Sequence, residues 1–236
     1  MRWILTFLLL NLLQDGWAQK TAQDFFDIAY KEYYNQQYTN SLANYTKSIK
    51  LDKHNEKAWY NRGLTHYALK EYRYAIKDYS KAIKLKKDYV NAYINRGISY
   101  IELKEYEEAM ADFNSAIRLD ENAYLAWYNK GICFYRKKNY TEAETCFNET
   151  LRLKPVYAYA MFYKGLTYYE KGIFANGVDQ FTLAIGHMKG EAGTAYYNRG
   201  LCYRGMELFE EACKDFKTSL EKGYEKAQVM IDNTCE

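Results

Sequence analysis

Proline occurs once in the 236 residues, at Pro155. That scarcity excludes a Pro-rich linker, a collagenous segment and a turn-dense all-β fold. Three histidines, with no Cys-x₂-Cys, give no metal-ligand spacing. The 13 glycines are scattered and do not form a phosphate-cradling loop. Neither charge sign dominates: 33 Lys+Arg stand against 30 Asp+Glu. Read as an evenly spread +3, that balance predicts no nucleic-acid footprint and no polybasic membrane block. No nucleophile–base constellation emerges either. The residues predict no enzyme, no catalytic residue, no metal, no cofactor and no small-molecule substrate. What the chain has is 48% apolar content and 27 tyrosines, ample for a packed core.

The first residues pair one positive charge, Arg2, with a short apolar run from Trp3 to Leu13. Gly16-Trp17-Ala18 then sets small residues at the −3 and −1 positions before Gln19, the pattern of a secretory signal peptide over 1–18. The run is well short of the roughly 20 apolar residues that span a bilayer. The expectation is an exported chain, periplasmic if bacterial and otherwise secreted, with no stable membrane insertion after cleavage. The rival is an uncleaved N-terminal anchor.

Beyond that segment the chain repeats itself. Gly63, Gly97, Gly131 and Gly165 are 34 apart, and Gly200 follows one residue late. Tyr72, Tyr106, Tyr140 and Phe174 keep the same step, as do Ala75, Ala109 and Ala143. So do Tyr79, Phe113, Phe147 and Phe181, and then Ile83, Ile117, Leu151 and Ile185. Each unit carries two runs of helical periodicity around a polar turn such as Leu69-Lys70-Glu71, which predicts two antiparallel helices per unit. A Gly inside a helix costs about 1 kcal/mol relative to Ala, so its recurrence calls for close helix approach. The expected contacts are Gly63 on Ala75 and Gly97 on Ala109.

The columns resemble the tetratricopeptide repeat, most fully in the fourth unit, where Trp127, Gly131, Phe134, Ala143, Phe147 and Pro155 fall in place. The resemblance implies an all-α right-handed superhelical solenoid. Its six units are 22–55, 56–89, 90–123, 124–157, 158–192 and 193–226, with 227–236 as a capping helix. Departures are few. Arg or Lys precedes the column Gly, Gly177 stands where Ala is usual, and the first unit has Ala29 in the Gly column and a turn read as one residue shorter.

Arg62, Arg96 and Arg199 each precede the column Gly, and sixteen positions later stand Asp78, Asp112 and Asp215. Where Lys130 and Lys164 replace the Arg, Cys146 and Gln180 replace the Asp. This correlation predicts a clasp between the two helices of a unit, with the planar guanidinium explaining why Arg accompanies Asp.

The resemblance further implies that Asn61, Asn95, Asn129 and Asn198, one residue earlier, line a concave groove. An amide there, with donor and acceptor, suits the backbone of an extended peptide. Tyr60, Tyr128, Phe162 and Tyr197 are groove neighbours by the same reasoning. The implied role is an exported scaffold that binds a protein or peptide partner. The alternative is a structural subunit of an envelope assembly held by an uncleaved N-terminal helix. A carboxylate-capturing chaperone co-factor fits poorly, because Tyr60, Leu64, Leu125 and Asn129 stand where its clamp residues would be.

Five cysteines cannot all pair internally. Cys213 and Cys235 lie equidistant from Tyr224, so antiparallel helices bring them level as a disulfide. Cys202–Cys213 is the rival pairing, and full reduction remains open.

Overall fold

A computed structural model describes residues 20–188, 190 and 192–235. The signal-peptide expectation over 1–18 lies outside them. Helices follow in pairs: α1 (Ala22–Tyr34) with α2 (Tyr38–Leu51), α3 (Glu56–Ala68) with α4 (Tyr72–Leu85), and α5 (Val90–Glu102) with α6 (Tyr106–Leu119). After these come α7 (Tyr124–Arg136) with α8 (Tyr140–Leu153), α9 (Ala158–Glu170) with α10 (Phe174–His187), and α11 (Gly193–Gly205) with α12 (Phe209–Glu221). The short α13 (Ala227–Thr234) closes the series. The described residues contain no strand. They form two compact units, one ending at Ala92 and the other beginning at Tyr93, so the division falls inside α5.

The turn inside each pair is made the same way six times. Gln36, Lys70, Lys104, Lys138 and Glu207 adopt φ of 60–63°, and Gly172 adopts 72°. Around Lys138, the N–H of Asn139 donates to the carbonyl of Phe134 and that of Lys138 to Tyr135, both at 2.9 Å. This is the Schellman arrangement, which satisfies the orphan carbonyls at the helix end. Only one of the six left-handed positions is glycine, so composition gave no sign of it. The first turn matches the rest, with α1 ending at Tyr34 and α2 starting at Tyr38 as α3 and α4 do around 69–71. The reading of a shorter first turn is therefore corrected.

None of the second helices has a side-chain N-cap among α2, α4, α6, α8, α10 and α12. In α2, α4, α8 and α10 rings meet across the turn at the helix start instead. Tyr33 meets Tyr38, Tyr67 meets Tyr72, Tyr135 meets Tyr140 and Tyr169 meets Phe174, with centroids 5.4–5.8 Å apart.

The core of the second to sixth pairs is one ring laid on one glycine, and in the first pair Ala29 and Tyr45, both buried, hold the equivalent places. Tyr79, Phe113, Phe147, Phe181 and Phe216 are fully buried. A Cβ at Gly63, Gly97, Gly131, Gly165 or Gly200 would sit 2.6–2.8 Å from the ring of its partner. The expected contact of Gly63 on Ala75 and Gly97 on Ala109 is thus corrected: the glycine clears space for an aromatic edge. Sixteen residues on, the ring stands directly opposite the glycine, whereas the Ala lies one turn earlier on the second helix. The Ala column is still fully buried at Ala75, Ala109, Ala143 and Ala212.

Candidate functional site

In three pairs the structure brings the predicted clasp residues together, each as a two-pronged contact. Arg62 Nε and Nη2 donate to Asp78 at 2.7 and 2.8 Å. The same nitrogens of Arg96 reach Asp112 at 2.8 and 2.6 Å, and those of Arg199 reach Asp215 at 2.7 and 2.8 Å. Nη1 of Arg62 reaches back to Thr46 on α2, and Nη1 of Arg199 to Thr182 on α10, which ties each pair to the one before. Burial lifts the Asp112 carboxyl above its ordinary value, and the Arg96 guanidinium works against that lift. The hydrogen bonds of Asp215 raise Arg199, against burial. A charge already forked onto a neighbour has little left for a ligand.

The Lys pairs are built otherwise. Lys130 lies over the rings of Trp127 and Phe134, 5.2 and 6.0 Å from their centroids. Lys164 lies over Tyr168 at 5.7 Å, and burial lowers its pKa. Glu144 on α8 then accepts from Tyr168 Oη and Lys171 Nζ of the next pair, at 2.8 and 2.6 Å.

The Asn column sits on the first helices. Asn61, Asn129 and Asn198 each donate from Nδ2 to the carbonyl four residues back, on Lys57, Leu125 and Thr194, at 2.7–2.8 Å. That bond fixes the amide plane and leaves the second N–H and Oδ1. Asn129 is only 8% exposed, whereas Asn61, Asn95 and Asn198 are half-buried. Within the second unit the first helices of successive pairs touch, α7 with α9 and α9 with α11.

The aromatic neighbours are half-buried and packed. Tyr60 lies on Tyr79 and Tyr89, Tyr128 on Phe147 and Tyr157, and Tyr197 on Phe216 and Tyr224. Phe162 lies on Phe181 and Tyr163. Three of these rings thus bridge the core ring of their own pair and a ring of the loop that follows. The Tyr abundance is in large part inter-repeat packing. Burial pushes the Tyr128 hydroxyl well above its ordinary value.

Cys213 and Cys235 form a disulfide with Cα atoms 5.3 Å apart, which joins α12 to the end of α13. The rival Cys202–Cys213 bond is not made: Cys133, Cys146 and Cys202 are free and buried. Cys202 faces Gly177, where an added Cβ would stand 2.8 Å from Sγ. At this junction Gly177 leaves room for the sulfur as it lies, whereas the equivalent columns of the third and fourth pairs hold Ala109 and Cys133. Burial pushes Cys133 and Cys202 up to about 12 and Cys146 to about 11, so none is an activated thiol. Among the described residues no three His, Cys, Asp or Glu are grouped to hold a metal ion, and no helix is long and apolar enough to cross a membrane.

Family models of the tetratricopeptide repeat match residues 29–70, 56–89, 94–155, 139–188 and 193–221. Among solved structures, the chain is similar to PilW, described as a widely conserved type IV pilus biogenesis factor. The identity is 20% and the TM-score 0.78, over 91% of this chain and all of that one. It is similar to MamA at 26% identity and TM-score 0.62, over 70% of this chain and 96% of MamA. YrrB, described as a TPR protein with an unusual peptide-binding site, is 22% identical with a TM-score of 0.60, covering 76% of this chain and 92% of YrrB. No curated protein matches.

Proposed function

Because the chain belongs to the tetratricopeptide repeat family, we propose that it is an exported protein–protein interaction scaffold that holds a peptide segment of a partner against its first helices and acts by binding, without turnover. The observation that carries this reading is the Asn column. An amide recurs at the same position of four of the six first helices, interrupted by Asp27 and Tyr163. In Asn61, Asn129 and Asn198 a bond to the helix's own backbone holds it so that its remaining donor and acceptor keep a fixed orientation. Oriented amides are what an extended peptide backbone needs, since it offers both a donor and an acceptor at every residue. In the second unit the column holds Asn95, Asn129 and Asn198, with Tyr163 standing between the last two. Asn95 and Asn198 are the more accessible, and Asn129 is a positioning neighbour.

Export is supported by the leader pattern over 1–18 and by the Cys213–Cys235 disulfide, a bond that persists in oxidising compartments. The three buried thiols are compatible with such a compartment because their high pKa values slow oxidation.

The test is capture of the native partner by the full chain and by the variant Asn95→Ala/Asn129→Ala/Asn198→Ala. Capture should fall on the order of tenfold while the thermal midpoint moves by only a few degrees. Unaltered capture would place the partner on the second helices or the loops.

A further inference from the structure

The even charge spread read from the sequence does not hold locally. Residues 45–87 carry twelve Lys+Arg against four Asp+Glu. Of those four acids, Asp78 is held by Arg62 and Glu71 is bonded to His66 Nδ1 at 2.7 Å. The surplus gathers at one place. Lys77, Lys81 and Lys84 stand at i, i+4 and i+7 of α4, so they share one helix face. Together with Lys53, Ser80 and Trp59 they line an open cavity of about 500 Å³. Trp59 forms its wall, fixed by Nε1 donating to the carbonyl of Lys53 at 3.0 Å, and Lys81 Nζ lies 5.8 Å from its ring centroid. None of the four lysines has a carboxylate partner among the described residues.

The other Trp-headed pair is an internal control. By register, Glu121, Thr145, Asn148, Glu149 and Arg152 surround Trp127 where the lysines and Ser80 surround Trp59. The one basic residue among these five, Arg152, is paired with Glu149 at 2.8 Å. The repeat therefore does not require ammonium groups here. Like charges at i and i+4 repel, and long Lys stems with free heads are held at that cost only in the second pair.

The geometry points to a docking site over Trp59, separate from the Asn column, for an acidic segment of a partner protein that carries one apolar side chain. The apolar side chain enters the cavity against Trp59 and the Lys stems, and carboxylates around it meet the ammonium heads of Lys53, Lys77, Lys81 and Lys84. A peptide fits better than a nucleic acid. Arg62 Cζ lies 4.8 Å and Lys81 Nζ 5.8 Å from the Trp59 centroid, so the part of the ring left open admits one side chain and offers no platform for successive bases. The charged residues of the rim are all Lys, which meets single carboxylates as point charges, and the rim lacks the Arg forks that grip phosphate in two places.

The probe is a synthetic peptide of about fifteen residues with Glu on both sides of one central Phe, titrated into the full chain with Trp3→Phe, Trp17→Phe and Trp127→Phe so that Trp59 is the one remaining tryptophan. Two further arms are the same peptide with Gln for Glu and an oligothymidylate of similar length. The Glu peptide should bind and perturb the Trp59 emission. Its affinity should fall on the order of tenfold with the Gln peptide, and again in Lys77→Glu/Lys81→Glu/Lys84→Glu. If that variant does not fold, Lys77→Gln/Lys84→Gln alters only the two exposed members of the α4 face and should still weaken binding. Tighter binding of the oligonucleotide through the same lysines would overturn the proposal, as would absence of peptide binding or indifference to either lysine variant.

Discussion

The second and fourth repeats open on the same residue, Trp59 and Trp127, and share one backbone plan down to the left-handed Lys70 and Lys138. Their interiors differ. The second joins its helices with the Arg62–Asp78 fork and lays a tyrosine, Tyr79, on Gly63. The fourth has Lys130 over Trp127, a buried Cys146 in place of the Asp, and Phe147 on Gly131. The glycine–ring contact and the turn are common to both, so these define the repeat. The ion pair is an option that can be exchanged if both partners change together.

The largest way to break this comparison is Asp78→Ala. It leaves the Arg62 guanidinium, whose side chain is 17% exposed, without its carboxylate and should cost about 3 kcal/mol in urea unfolding. Arg62→Ala/Asp78→Ala should cost less, because no stranded charge remains. A double-mutant cycle with no coupling would show that the fork does not join the helices. The reciprocal graft makes the comparison sharper: Cys146→Asp should destabilise the fourth repeat, and adding Lys130→Arg should recover part of that loss.

A smaller effect, of opposite sign, is expected at the ring. The Tyr79 hydroxyl is buried with no hydrogen-bond partner among the described residues, and burial drives its pKa far upward. Tyr79→Phe, which gives the second repeat the ring of the fourth, should raise stability by about 1 kcal/mol. A loss of stability on calorimetry would mean that the hydroxyl is satisfied.

The smallest effect should come from the turns. Lys138→Gly relieves a left-handed residue at φ 63° but adds freedom to the unfolded chain, for a net gain of about 0.5 kcal/mol. Lys70→Gly should behave alike if the two turns are equivalent. Opposite signs in paired thermal melts would show that they are not.

The features legible in the sequence were those carried by spacing alone. A 34-residue step and a helical period are enough to place paired helices, and a sixteen-residue correlation is enough to pair Arg with Asp. The Gly63 contact was misread because an antiparallel hairpin with both residues inward admits Ala75 or Tyr79, and only the helix rotation selects the ring. The left-handed turn residues were hidden because five of six are not glycine. The lysines around Trp59 were missed because a whole-chain charge averages a basic stretch against acidic ones elsewhere. In the Asn column, donation to the residue four back is a local choice that a column of identities does not reveal.

The match between Gly177 and Cys202 bears on how the array can be rearranged. The same junction between the first two pairs holds Ser41 and Thr65, with hydroxyls 3.4 Å apart. An Ala at the place of Gly177 would bring its Cβ within 2.8 Å of the Cys202 sulfur as it lies, so that side chain would have to turn. At the junction of the third and fourth repeats the same columns hold Ala109 and Cys133, both fully buried. Each junction thus has its own fit of small side chains, and a designer who shuffles repeats of this chain has to repack the seam between the last two wherever the cut passes through it.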